Sequence, residues 1–167
     1  MKNKRNLKVS VIMGSSSDFE TMQGALDVLK EFAIPHEVKV LSAHRAPHDT
    51  AKFAAAARSR AIGVIIAGAG GAAHLAGVIA AHTTVPVIGV PMETKALAGI
   101  DSLFSTVQMP QGVPVATMAI GKSGAKNAAI LAAQILAVRD KKLEKKLDAY
   151  KKRLRKEVHK ADKSIKR

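Results

Sequence analysis

The sequence predicts a three-layer α/β/α domain with a central parallel sheet and a C-terminal amphipathic helix. Three observations carry this reading. Short apolar runs alternate with segments of helical periodicity, the pattern left by parallel strands joined through right-handed crossovers. Gly- and Ser-rich turns follow the first and third runs, at Gly14–Asp18 and Gly68–His74, in equivalent places along the chain. From Asp140 onward the composition changes to Lys, Arg and Leu at helical spacing. At 167 residues the chain fits one domain and can bury a real core.

Residues 1–6 are polar and basic and read as a frayed end. Leu7 to Met13 is a buried strand. Phe19 to Phe32 has helical spacing, with Met22, Leu26 and Leu29 on one side, and Ala33-Ile34-Pro35 ends it. His36 to Leu41 is a second strand. Pro47 to Arg60 is Ala-rich and helical, with Pro47 in the first turn, where its missing N–H costs nothing. Ile62 to Ala67 is apolar enough to be a strand buried on both faces. Ala72 to His82 is a third helix and Val85 to Val90 a fourth strand. Residues 91–113 are less regular, with a short helix over Ile100 to Val107. Pro114 to Ile120 is a fifth strand and Ser123 to Val138 an apolar helix. No internal repeat is present. Residues 1–138 thus read as one α/β catalytic domain, flavodoxin-like in its alternation, and residues 139–167 as a basic amphipathic helix or tail. In the tail Leu143, Leu147, Tyr150, Leu154, Val158 and Ile165 form one apolar stripe. Two partners are open to it, its own domain or another subunit.

Composition narrows the function. Hydrophobic residues make up 47% and aromatics only 3%, with Ala abundant. Small side chains allow close layers but bury little area each, so an oligomer is expected to supply further burial. The absence of cysteine excludes disulfides, thiolate catalysis and cysteine metal sites. No signal-like N-terminal stretch and no membrane-length apolar run is present, so the expectation is a cytoplasmic protein without a membrane partner. The net charge of +14 is concentrated at one end: Arg139 to Arg167 holds 14 Lys or Arg against 5 Asp or Glu. A solvated helix face explains such a run better than a specific nucleic-acid site, and no specific nucleic-acid partner is expected.

The chemistry-bearing residues cluster after the first three strands. In Leu41-Ser42-Ala43-His44-Arg45-Ala46-Pro47 a histidine stands beside an arginine. Histidine exchanges a proton near neutral pH. Arginine grips phosphate or carboxylate through parallel hydrogen bonds. Gly14-Ser15-Ser16-Ser17-Asp18 opens a helix, where unpaired N–H groups favour an anion. Helix capping would account for one such residue; four after one glycine favour the anion, with Asp18 suited to ribose hydroxyls. The turn lacks the Gly-Lys-Ser/Thr ending of a P-loop and is no GxGxxG dinucleotide turn. The turn Gly68-Ala69-Gly70-Gly71-Ala72-Ala73-His74 serves either close strand–helix packing or a narrow slot whose backbone N–H groups meet a carboxylate or CO2. His36 and His48 read as surface residues, His82 as a helix end and His159 as part of the tail. No His or carboxylate spacing suggests a metal site.

The segments MGSSSD (13–18), SAHRAP (42–47), AGAGGAAHLAG (67–77) and VQMPQGVPVATMAIGKSGAKNAAILAAQIL (107–136) resemble the N5-carboxyaminoimidazole ribonucleotide mutases of de novo purine synthesis, over about residues 7–138. The resemblance implies an isomerase that moves a carboxylate from the exocyclic nitrogen to carbon 4 of the imidazole, without metal or cofactor, in a homo-octamer with its sites at subunit contacts. It implies ribonucleotide binding by Ser15, Ser17, Asp18 and Arg45, and proton transfer by His44. It places Ser42, Ala43, Gly70, Gly71, Ala72 and His74 around the base and the migrating carboxylate, and Met109-Pro110-Gln111-Gly112 in a closing loop. Ser16 stands where some members carry Lys and Gln111 where others carry Arg, which weakens an outer charge contact. The nearest alternative is the related carboxylase, which uses free CO2 and aminoimidazole ribonucleotide but has a less Gly/Ala-rich loop. A non-catalytic nucleotide- or RNA-binding module is a second. A signalling domain would need an acidic phosphoacceptor cluster where this chain has Gly and Ser.

Overall fold

In a computed structural model, which describes residues 7–165, β1 (Lys8–Met13), β2 (His36–Val40), β3 (Ile62–Ala69), β4 (Val87–Pro91) and β5 (Ala116–Thr117) pair in parallel. Their spatial order is β2-β1-β3-β4-β5, so the chain reverses its direction of travel across the sheet between β1 and β3. The frayed segment expected over residues 1–6 lies outside the described residues.

Strand periodicity divides the core. Val9, Val11 and Met13 of β1, with Val64, Ile66, Ile88 and Val90, face α1 (Phe19–Glu31) and α5 (Gly121–Ala137). Ala125, Ala128, Ala129, Ala132 and Ala133 of α5 are wholly buried, and their small size lets α1 and α5 lie close together. On the other face Ile12, Ile65 and Ala67 meet Phe53 and Ala54 of α2 (Pro47–Ala55) and Leu75, Ala76 and Ile79 of α3 (Leu75–Ala81). α4 (Ile100–Val107) packs on β4 and β5. Gly68 is buried between two methionines: a Cβ there would stand 2.6 Å from Met92 Cε and 2.9 Å from Met22 Sδ.

Three elements differ from the sequence expectation. The helix from Pro47 stops at Ala55 instead of Arg60, because three-residue turn bonds (Ala57 N to Ala54 O, Ala61 N to Arg58 O) and a left-handed Ala61 redirect the chain into β3. α3 begins at Leu75 instead of Ala72, since residues 70–74 form the loop described below. β5 is two residues long instead of seven; it pairs with β4 alone, and Pro114 has no N–H to extend the ladder.

The tail forms α6 (Lys141–Ser164), capped by Asp140, whose Oδ1 accepts from the N–H groups of Lys142 and Leu143 at 2.9 and 3.2 Å. Its apolar stripe has two fates. Leu143 is buried and Leu147 and Tyr150 pack on the core, Tyr150 against Phe32. Lys146 donates to the Phe32 carbonyl at 2.6 Å and Arg153 pairs with Glu31. Leu154, Val158 and Ile165, beyond that anchor, remain exposed.

At β2, Glu37 accepts from Lys8 Nζ at 2.6 Å, Arg60 Nη2 at 2.9 Å and Ser10 Oγ at 3.1 Å. Partial burial pushes this carboxyl upward, but the three donors outweigh it and hold it below its ordinary value. Such a group stabilises the fold above the ordinary glutamate value and loses that contribution as pH falls through the lowered one. Glu37→Gln is therefore expected to destabilise the protein at neutral pH by roughly 1 kcal/mol. The gap from wild type should begin to narrow near pH 4.3, roughly where the unfolded glutamate protonates, and close below the lowered folded value. Urea melts at neutral pH and in acid check this; an equal gap in both would contradict it.

Candidate active site

The loops leaving β1, β2 and β3 meet at the carboxyl edge of the sheet, where open α/β sheets place ligands. They enclose a cleft of about 450 Å³.

The first loop is stitched to β3 by Gly14 N–H donating to the Gly68 carbonyl at 3.1 Å. A single 3-10 turn, Ser16–Asp18, follows. Ser15 caps it: its Oγ accepts from Ser17 N–H at 3.3 Å and lies 2.9 Å from Ser17 Oγ. Capping is thus present, and the same turn lines the cleft. Asp18 makes no side-chain cap at the start of α1. Burial pushes its carboxyl above the ordinary range, against the opposing Ser17 hydroxyl and Ser15 backbone.

In the second loop Ser42 organises Arg45. Ser42 Oγ accepts from Arg45 N–H at 3.2 Å and from Arg45 Nε at 3.3 Å. Arg45 Nη2 then donates to the Gly14 carbonyl at 3.0 Å, joining the first and second loops. Two of the five guanidinium N–H donors are engaged in these bonds, so the fork keeps capacity for a ligand anion. His44, next in line, is exposed at the cleft.

The third loop turns sharply at Gly71, whose φ of 66° is left-handed and suits glycine. His74 follows, immediately before α3. His44 Nε2 and His74 Nδ1 are 2.9 Å apart, with the rings nearly perpendicular at 88°. One nitrogen presents a proton and the other a lone pair, so the tautomer of each ring is tied to that of its neighbour.

The cleft therefore brings together Ser15, Ser17, Asp18, Ser42, Ala43, His44, Arg45, Gly70 and Ala72. His74 joins through His44. Gly71 stands apart from the expectation of N–H groups donated into a slot: its N–H donates to Ser102 Oγ of α4 at 2.9 Å. Residues 109–112 do not line the cleft; Met109 lies against α3, where a Cβ on Gly77 would stand 3.1 Å from Met109 Sδ. His36 is half-buried instead of fully on the surface, its Nδ1 2.9 Å from the Ile34 carbonyl. Ala69, from the Gly68–His74 turn, and Leu75 also line the cleft; no spacing in the sequence points to Leu75, or to Ser102 behind the loop. Among the described residues no three His, Asp or Glu side chains are grouped to hold a metal ion, and no helix is long and apolar enough to cross a membrane.

A hydroxyl-rich turn, an arginine fork, a wall of Gly and Ala and a hydrogen-bonded histidine pair thus share one cleft. Together with the parallel sheet they form an α/β cleft able to hold a small anion beside groups that can exchange a proton. Residues 8–157 match the model of the AIR carboxylase family, and the chain belongs to that family. It is 62% identical over 140 residues to the N5-carboxyaminoimidazole ribonucleotide mutase of Bacillus subtilis, spanning 84% of this chain and 86% of that one. It is 56% identical over 145 residues to the Escherichia coli K12 mutase, spanning 87% and 86%. A crystal structure of Treponema denticola PurE superimposes with a TM-score of 0.84 at 27% identity, covering 95% of this chain and 98% of that one.

Proposed function

We propose that this protein is an isomerase converting N5-carboxyaminoimidazole ribonucleotide to 4-carboxy-5-aminoimidazole ribonucleotide. The observation that carries the reading is the His44–His74 pair, set between the Arg45 fork and the Gly70–Ala72 wall of a single cleft.

The residues suit each step. Cleavage of the bond between the exocyclic nitrogen and the carboxylate releases CO2, and the nitrogen takes a proton from His44. The product, aminoimidazole ribonucleotide, has an electron-rich carbon 4. That carbon attacks the CO2, which the Gly/Ala wall keeps beside it, replacing a bimolecular encounter by a positioned one. Removal of the carbon-4 proton by His44 restores aromaticity. One proton leaves His44 and one returns, so the enzyme ends as it began and no co-reactant is needed. His74 accompanies each change by trading donor for acceptor at Nδ1. The Ser15–Asp18 turn and Arg45 hold the ribose phosphate, and this remote binding orients the ring. Ser42 acts on the substrate through Arg45.

Arg45→Ala is expected to weaken ribonucleotide binding by about 1.5–3 kcal/mol, the range for a lost hydrogen bond to a charged group. Titration calorimetry with the product checks this, and unchanged affinity would contradict it.

The relatives named as mutases support the mutase over the carboxylase that the family description names. An ultraviolet assay with freshly made N5-carboxyaminoimidazole ribonucleotide, beside aminoimidazole ribonucleotide plus bicarbonate, decides between them. Turnover of the first substrate, with the second needing far higher bicarbonate, is the expected result. Equal use of both at low bicarbonate would assign the carboxylase, and silence in both would remove the enzymatic reading.

The working form in this proposal is a cytoplasmic homo-octamer. Leu97, just before α4, and Ile100, Phe104 and Val107 on it, between 46% and 59% exposed, present an apolar stripe that supports self-association. Light scattering on the eluting protein tests the subunit number.

A further inference from the structure

We propose that Ser102 and Ser105 of α4 are positioning residues for the carboxylate migration, holding Gly71 from behind so that His74 stays in register with His44. Its kinetic side rests on the mutase reading of the cleft; its structural side does not.

The geometry is specific. Ser102 is wholly buried, and its Oγ accepts from Gly71 N–H at 2.9 Å. Ser105, one turn later, has a single O–H proton, shared between the Asp101 carbonyl at 2.8 Å and the Gly71 carbonyl at 3.2 Å. Both polar backbone atoms of one left-handed glycine are therefore held by one helix. They belong to successive peptide groups, so both planes flanking Gly71 are fixed. The loop has no large side chain of its own with which to do this: residues 70–73 are Gly-Gly-Ala-Ala. Its remaining bonds are short-range, Ala73 N–H to the Gly71 carbonyl and His74 N–H to the Ala72 carbonyl, both 2.8 Å. They define the turn's shape but not its place relative to the sheet.

α4 is itself anchored. Thr94 Oγ1 donates to Asp101 at 2.8 Å and accepts from Gly99 N–H at 3.2 Å, and the Thr106 carbonyl accepts from Thr117 Oγ1 of β5 at 3.3 Å. A shift of α4 would move Gly71, and three residues later His74, whose ring meets His44 across 2.9 Å. Neither serine lines the cleft, so neither contacts substrate there.

The test compares Ser102→Ala, Ser105→Ala and Ser105→Thr in the full chain. Turnover is measured with N5-carboxyaminoimidazole ribonucleotide, and the ring nitrogens of His44 and His74 by nitrogen-15 NMR. Ser102→Ala is expected to lower kcat about tenfold or more with KM within about twofold, because the phosphate-binding loops are untouched. The ring-nitrogen signals should shift, reporting a lost or altered His44–His74 bond. Ser105→Ala should show the same pattern more weakly, and Ser105→Thr should restore it by returning the hydroxyl. Wild-type kcat and unshifted ring signals in Ser102→Ala would overturn the inference, as would a rise in KM alone. If Ser102→Ala does not fold, the Ser105 pair decides: equal kcat and equal ring signals in Ala and Thr would overturn it. If the wild-type protein shows no mutase turnover, ring signals that shift in the Ala variants uphold the positioning role while the mutase reading fails; unshifted signals refute the role as well.

Discussion

Replacing His44 by Asn is expected to abolish turnover of N5-carboxyaminoimidazole ribonucleotide while leaving ribonucleotide binding within about tenfold, or roughly 1.4 kcal/mol. Asparagine keeps a polar group at the cleft but cannot carry a proton between the exocyclic nitrogen and carbon 4. Positioned acid–base catalysis contributes about 10²–10⁴ in rate, and both proton transfers in the proposed reaction use this one ring. The binding groups stay in place, because the Ser42–Arg45–Gly14 bonds and the Ser15–Ser17 cap do not pass through the imidazole. The ultraviolet assay and product calorimetry on the same preparation separate the two effects. Near-normal turnover by His44→Asn would remove His44 from the proton path, and lost binding would make it a substrate grip.

Gly124→Ala is expected to have the largest effect on stability. Gly124 is buried near the start of α5, and a Cβ there would fall on the carbonyl of Ala119, in the segment between β5 and α5. A flexible side chain could swing away from such an intrusion, but a backbone carbonyl moves only with its peptide plane. Moving α5 instead would disturb the alanines that pack against α1 and the sheet. Overpacking typically costs 1–3 kcal/mol, and a backbone collision belongs at about 3 kcal/mol or above. In a chain of this size that lowers the melting temperature by roughly 6–12 °C. Thermal melts at one protein concentration measure it, since assembly also stabilises. A melting temperature within about 2 °C of wild type, less than 1 kcal/mol on this scale, would show that the segment before α5 yields freely.

Most of the layer order is readable in the chain, because strands buried on both faces must be apolar throughout. Ile62–Ala67 and Val85–Val90 mark β3 and β4 within two residues at each end. α4 is readable at both ends. The errors share a cause: local composition does not report where the chain must turn. Ala-rich sequence continues past Ala55 although the route into β3 ends the helix there, and Ala72–His74 favours helix although those residues shape the cleft wall. The three site loops are legible because chemistry collects at strand ends. Contacts between loops are not. His44 and His74 are 30 residues apart, and nothing in either segment announces that the rings touch. Ser102 is harder still: one of several polar residues in a short helix, and nothing in the helix announces the glycine opposite it. The tail's two open readings divide at Tyr150: Leu143, Leu147 and Tyr150 pack on the chain's own core, and the stripe from Leu154 onward does not.

The crowding around Gly68 constrains the order in which this lineage can change. Both obstacles, Met22 Sδ and Met92 Cε, belong to flexible side chains, so alanine at 68 becomes tolerable once each has been shortened or has swung aside. Introduced alone, either change disturbs packing: the added methyl by intrusion, the shortened partner by leaving a void. Together they can compensate, which is the non-additivity expected of residues in contact. A history passing through the two changes in succession therefore crosses a less stable intermediate whichever comes first. Substitution of this glycine therefore depends on changes at Met22 and Met92, far from it in the sequence.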